Sequence, residues 1–103
     1  MTAYVIFIRE TVTDGEALAR YREGARAARA GHQLSPIAFY GAHEVLEGAP
    51  VDGVAILSFP SMAEARAWYD SPAYQAARPH RLQGSTGKLY LVEGVDAQPA
   101  AGN

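Results

Sequence analysis

Three short segments of this chain are apolar on both faces, and that pattern limits the possible folds more than any other feature. In Ala3–Arg9 (AYVIFIR), Ala3, Val5 and Phe7 alternate with Tyr4, Ile6 and Ile8. Successive strand residues point to opposite faces. Val54–Phe59 likewise sets Val54 and Ile56 against Ala55, Leu57 and Phe59, and Leu89–Val92 sets Leu89 and Leu91 against Tyr90 and Val92. A strand with two apolar faces requires cover on both sides. A further extended segment, Ser35–Glu47, carries Ile37, Phe39, Tyr40, Val45 and Leu46, and Gly41 in its middle predicts a bulge or a close backbone approach.

Two helical segments supply cover for one face. Thr13 with Glu16 predicts a capping box, and Leu18, Tyr21, Ala25 and Ala28 follow as an apolar stripe that Gly31 ends. Gly24 weakens this helix, and Arg20, Arg22, Arg26 and Arg29 read as its solvated face. The second segment, Phe59–Arg78 (FPSMAEARAWYDSPAYQAAR), holds two helix starts back to back. Ser61 with Glu64 forms a capping box, and Ser71-Pro72 places serine at an N-cap and proline at N1. Met62, Ala65, Trp68 and Tyr69 share one helical face, Ala73, Tyr74 and Ala77 continue it, and Pro79 is expected to stop it. Gly48–Gly53 and Gly84–Gly87 read as turns.

The order is β-α-β-β-α-β, a ferredoxin-like α+β domain with a four-stranded antiparallel sheet. Its helices cover one face only. The simplest cover for the other is a second copy, so a homodimer through the sheet face, a dimeric α/β barrel, is expected. Residues 1–95 form the single domain of this reading, with 96–103 (DAQPAAGN) as a flexible tail.

Nine Lys+Arg against eleven Asp+Glu leave no basic excess to replace the counterions of a nucleic acid. No cysteine is present, so thiolate metal sites, disulfides and cysteine nucleophiles are excluded. MTAYVIFIRE lacks a basic n-region and reads as a strand, not a signal peptide, and no segment has the length of a membrane span. A cytoplasmic protein with neither nucleic-acid nor membrane partner is the expectation.

FPSMAEARAWYDSPAYQ, VLEG at Val45–Gly48 and GKLYLVEGV at Gly87–Val95 resemble the domain-of-unknown-function family numbered 1330, within the dimeric α/β-barrel superfamily. The resemblance runs from Tyr4 to Val95 and implies the same fold and dimer. The superfamily includes cofactor-independent monooxygenases, lactone isomerases, polyketide cyclases and haem-binding enzymes, with pockets between the sheet and the helices. This chain has Phe39-Tyr40-Gly41 where the family pattern has Arg-Gly-Gly, which implies a bulkier, more apolar pocket.

Against that background His43 is the first candidate for proton transfer and His80 the second, because imidazole titrates near neutral pH. Each also has an ordinary reading: His43 as an exposed strand residue or a donor to a backbone carbonyl, and His80 as a helix-end residue. His32 reads as a helix-end cation. Tyr40, Tyr74 and Arg81 are candidates for orienting a substrate's oxygens, and Trp68 for a pocket wall or a packing residue. No histidine pair has metal-ligand spacing, so no metal or bound cofactor is expected. Two functions follow. One is a cofactor-free isomerase, cyclase or monooxygenase acting on an apolar or aromatic compound. The other is a non-catalytic small-molecule-binding or structural dimer.

Overall fold

β1 (Ala3–Val12) lies inside the sheet and sets the register of the rest. The computed structural model describes residues 1–95, and the tail expected at 96–103 lies outside them. β2 (Ser35–Phe39), β3 (Gly53–Phe59) and β4 (Ser85–Glu93) complete a four-stranded sheet in the order β2-β3-β1-β4, with every neighbouring pair antiparallel. Helix α1 (Gly15–Ala27) follows β1, and α2 (Met62–Asp70) and α3 (Pro72–Gly84) fill the crossover between β3 and β4. The ferredoxin-like α+β arrangement is therefore present, with its second helix split in two at Ser71.

Strand parity settles which face is which. Ala3, Val5, Phe7, Ala55, Leu57 and Phe59 are buried under the helices. The opposite face carries Tyr4, Ile6, Ile8, Val54 and Ile56, all half-buried, together with the exposed Tyr90 and Val92. Ala38, Ile56, Ile6 and Tyr90 lie in register across all four strands, so the uncovered face is apolar from edge to edge.

Several local expectations change. Asp14, not Thr13, caps α1, its carboxylate accepting from the Glu16 and Ala17 amides at 3.0 and 3.2 Å. Thr13 is used elsewhere: its hydroxyl donates to the Gln83 carbonyl at 2.8 Å, and its amide donates to the Gly84 carbonyl at 2.8 Å. These bonds satisfy the open carbonyls at the end of α3. That end is reached because Pro79 does not stop the helix, which continues through it to Gly84. An interior proline costs about 3 kcal/mol, and here the burial of Ala77 and Gly84 and the bonds to Thr13 offset it. Gly84–Gly87 is accordingly no turn, since β4 begins at Ser85.

The long second strand is also shorter than expected. β2 ends at Phe39, with a register shift between Pro36 and Ala38. The left-handed residue is Tyr40 (φ 55°), not Gly41, and the chain leaves the sheet there. His43, expected on a strand, therefore lies in the loop between β2 and β3. Gly24 proves to be a packing device. A Cβ there would stand 2.7 Å from the Ala77 Cβ, so its absence lets α1 approach α3 closely.

Candidate functional site

A cavity of about 540 Å³ lies between α1 and the helix-covered face of the sheet. It exists because α1 packs chiefly on α3, whereas α2 lies directly against β1, β3 and β4. Phe7, Leu57, Leu18, Leu34 and Phe39 supply apolar walls, and the buried Trp68 is part of the lining.

Tyr40 enters the cavity through its left-handed backbone, a conformation uncommon for any residue with a side chain. Its amide donates to the Val54 carbonyl at 2.8 Å, and its ring lies over Gly53, where a Cβ would come within 2.7 Å of Cδ1. The Arg9 guanidinium stacks on the same ring at 4.1 Å and donates to Asp52 at 2.6 Å. Strain, stacking and ion pair together fix one ring orientation. Burial pushes the Tyr40 hydroxyl pKa up, against the pull of Arg9 and Arg81.

Tyr21 lines the cavity from α1, and its hydroxyl shares a 3.0 Å hydrogen bond with that of the fully buried Tyr74. Burial, then the neighbouring Tyr74, drives the Tyr21 pKa well above its ordinary value, with Arg81 opposing. Both cavity phenols therefore stay neutral at physiological pH and act as hydrogen-bonding groups. Trp68 is 2 % exposed and stacks on Tyr74 at 4.3 Å between ring centroids. Its indole N–H finds no partner among the described residues, and neither does the buried Nε of Arg81.

The charges around the cavity are one-sided. Arg9, Arg22, Arg26, Arg29, Arg81 and Lys88 line it, six of the nine cationic side chains in a chain of net charge −2, and no described carboxylate does. Arg9 is paired with Asp52, and Lys88 with Glu10 at 2.9 Å. The other four have no ion-pair partner among the described residues.

The structure thus brings Tyr40, Trp68 and Arg81 together at one cavity and joins Tyr74 to it through Tyr21. It does not bring the imidazoles there. His43 is exposed, with Nε2 3.1 Å from the Val51 carbonyl oxygen, and the half-buried His80 is not part of the lining. Arg22, Arg26 and Arg29, read from sequence as a solvated face, are exposed as expected and also line the cavity. Their spacing at i, i+4 and i+7 was the available signal, since it keeps three guanidinium groups on one edge of the apolar stripe. Among the described residues no three His, Asp or Glu side chains gather as a metal site, and no helix is long and apolar enough to cross a membrane.

Residues 2–95 match the family described as Domain of unknown function (DUF1330). The chain belongs to this family. No curated protein matches it by sequence. Among solved structures it resembles the RPA0582 protein of unknown function from Rhodopseudomonas palustris, at 20% identity and a TM-score of 0.68, covering 93% of this chain and 84% of that one. It also resembles a variant of SnoaB, a cofactor-independent oxygenase from Streptomyces nogalater, at 14% identity and a TM-score of 0.58, covering 95% and 96%. Rv0793 from Mycobacterium tuberculosis is similar at 16% identity and a TM-score of 0.52, covering 93% and 96%. At these identities the likeness is one of fold: the ferredoxin-like α+β arrangement of a four-stranded antiparallel sheet with helices on one face.

Proposed function

We propose that this protein binds a small apolar or aromatic compound in the cavity between α1 and the sheet, and does so as a homodimer. The carrying observation is the cavity itself. Its volume of about 540 Å³ falls within the roughly 300–1,000 Å³ of small-molecule sites, and apolar walls with a few fixed polar groups are their usual lining. Tyr40, Trp68 and Arg81 contact the ligand in this reading, and Tyr74 holds Tyr21 in place. The homodimer is supported by the apolar row Ala38–Ile56–Ile6–Tyr90 on the uncovered face. A second copy with the same row covers it by two-fold symmetry.

Thermal-shift screening with planar aromatic compounds tests the binding reading. A bound ligand at about a hundred times its Kd adds about 2.7 kcal/mol of stability, or roughly 10–20 °C for a domain of this size. Amide shifts confined to Tyr21, Tyr40 and Trp68 would place it. A panel that shifts neither Tm nor these amides would sink the proposal. For the dimer, Ile6→Glu should convert the protein to monomer in sedimentation experiments, and an unchanged mass would refute the sheet-face interface.

A second reading is cofactor-independent catalysis of isomerase, cyclase or monooxygenase type, favoured by the fold shared with SnoaB. Here His43 and then His80 are the proton-transfer candidates, and their positions outside the lining weigh against them. Turnover abolished by His43→Ala or His80→Ala, with ligand affinity intact, would establish this reading. Turnover surviving both substitutions would dismiss the imidazoles.

A further inference from the structure

We propose that the ligand of the α1 cavity is a carboxylic acid with an aromatic or branched apolar body, and that Arg81 is the residue that holds its carboxylate. The inference rests on the small-molecule reading above and specifies the chemistry that such a molecule must carry.

The first observation is charge. A protein with more acidic than basic residues has placed six cations and no described carboxylate around one cavity. Low-dielectric walls lined by one sign of charge focus the field, so the cavity attracts an anion although the molecule as a whole repels one. A neutral apolar ligand has no use for such a field.

The second observation is the state of the individual cations. Arg9 and Lys88 already have carboxylate partners at 2.6 and 2.9 Å. Arg22, Arg26 and Arg29 are exposed on α1, where water screens them, so their contribution is to steering more than to holding. Arg81 differs from all of these. It is half-buried, and its buried Nε has no hydrogen-bond partner among the described residues. Its guanidinium carbon lies 5.8 Å from the centre of the Phe7 ring. A partly desolvated guanidinium without a counterion is costly unless an anion meets it. A planar fork of N–H donors matches a carboxylate in two parallel bonds.

The third observation is the company that Arg81 keeps. Tyr21 and Tyr40 lie within its electrostatic reach and stay protonated. Phe7, Leu57 and Trp68 supply a flat apolar bed for the body of the acid. Neutral phenol donors beside a single half-buried guanidinium, the other three unpaired arginines being exposed, suit a single carboxylate better than a phosphate, which carries more charge.

Isothermal titration of the full-length protein with 2-naphthoate and with the isosteric neutral 2-naphthamide tests this. The expected result is naphthoate binding about tenfold or more tighter than the amide. The preference should shrink between about 20 and about 300 mM salt as the rim charges are screened. Arg81→Gln should erase the preference, lowering naphthoate affinity by about tenfold or more toward that of the amide, and Arg81→Lys should keep part of it. Circular dichroism identifies any variant that fails to fold, and an Arg22→Gln, Arg26→Gln, Arg29→Gln triple variant gives an independent arm, expected to slow naphthoate association at low salt. Equal affinity for acid and amide would overturn the carboxylate inference and leave the apolar-ligand reading standing. Binding of neither would overturn both. A preference that survives Arg81→Gln would remove Arg81 as the anchor.

Discussion

The two helical coverings of this sheet were built to different standards of closure. Under α2 and the start of α3, Phe59, Trp68 and Tyr74 are each almost wholly buried, and their rings touch in sequence at centroid distances of 5.3 and 4.3 Å. Under α1, on the same face of the same sheet, a cavity of about 540 Å³ remains. The difference originates in what each helix rests on. α2 lies on the strands, whereas α1 leans on α3 through the Gly24–Ala77 contact and through the bonds from Thr13 and Asp14 to the end of α3. A sheet can thus be covered without being filled. The aromatic half supplies cohesion, and the arginine-lined half leaves a cavity open.

The comparison predicts unequal responses to mutation. Trp68→Ala should cost most, about 3–5 kcal/mol by urea denaturation followed by circular dichroism, because the ring stack cannot collapse onto so large a void. A cost below about 1 kcal/mol would mean that the aromatic half is no better packed than the cavity half.

The alkaline limb of stability reports the cavity phenols. The folded-state pKa of Tyr21 and Tyr40 is raised above the ordinary value of 10.0. Their contribution is therefore fully present below pH 10 and is lost as pH rises beyond it, by up to about 1.4 kcal/mol per pH unit for Tyr21 and by less for the more exposed Tyr40. Tyr21→Phe should flatten that loss in denaturation curves taken between about pH 9 and 11, and an unchanged slope would show that Tyr21 titrates normally.

Gly24→Ala sharpens the contrast between local propensity and packing. Alanine gains about 1 kcal/mol in a free helix, but the new Cβ meets Ala77, so the net effect should be a loss of about 1 kcal/mol. Stabilisation by the full propensity difference would show that α1 is free to move off α3. The smallest effect is expected at Ala25, which lines the cavity. Ala25→Trp should change stability by less than about 0.5 kcal/mol while blocking ligand entry. Unaltered naphthoate binding in that variant would place the ligand elsewhere.

Much of the fold was legible. Double-sided strands, Ser61 as the cap of α2 and Ser71-Pro72 as the restart at α3 all follow from alternation and capping chemistry, which act over a few residues. Tyr40, Trp68, Tyr74 and Arg81 could be singled out as candidates from their chemistry alone, because phenols and a guanidinium can meet a ligand's oxygens and an indole can wall a pocket. The arginines of α1 were harder to read. Their exposure was legible, but a cation at the edge of an apolar stripe has the same sequence signature whether or not a cavity lies beside it. Pro79 misled for a related reason, since its helix-breaking cost is local and the contacts that offset it, at Thr13 and Asp14, lie far away in sequence.

By itself, then, the sequence determined the strand and helix order, the two apolar faces of the sheet and the points where α2 and α3 begin. Each is fixed by side-chain periodicity or by a cap within one turn of helix. The tertiary structure decided that α3 runs through its proline, that Thr13 serves α3 and not α1, that Tyr40 turns left-handed over Gly53, and that the imidazole of His43 sits away from the cavity. It also decided that six cations converge on one space. Those outcomes depend on contacts between residues tens of positions apart, and no local pattern encodes how closely two helices approach or what volume is left beneath them.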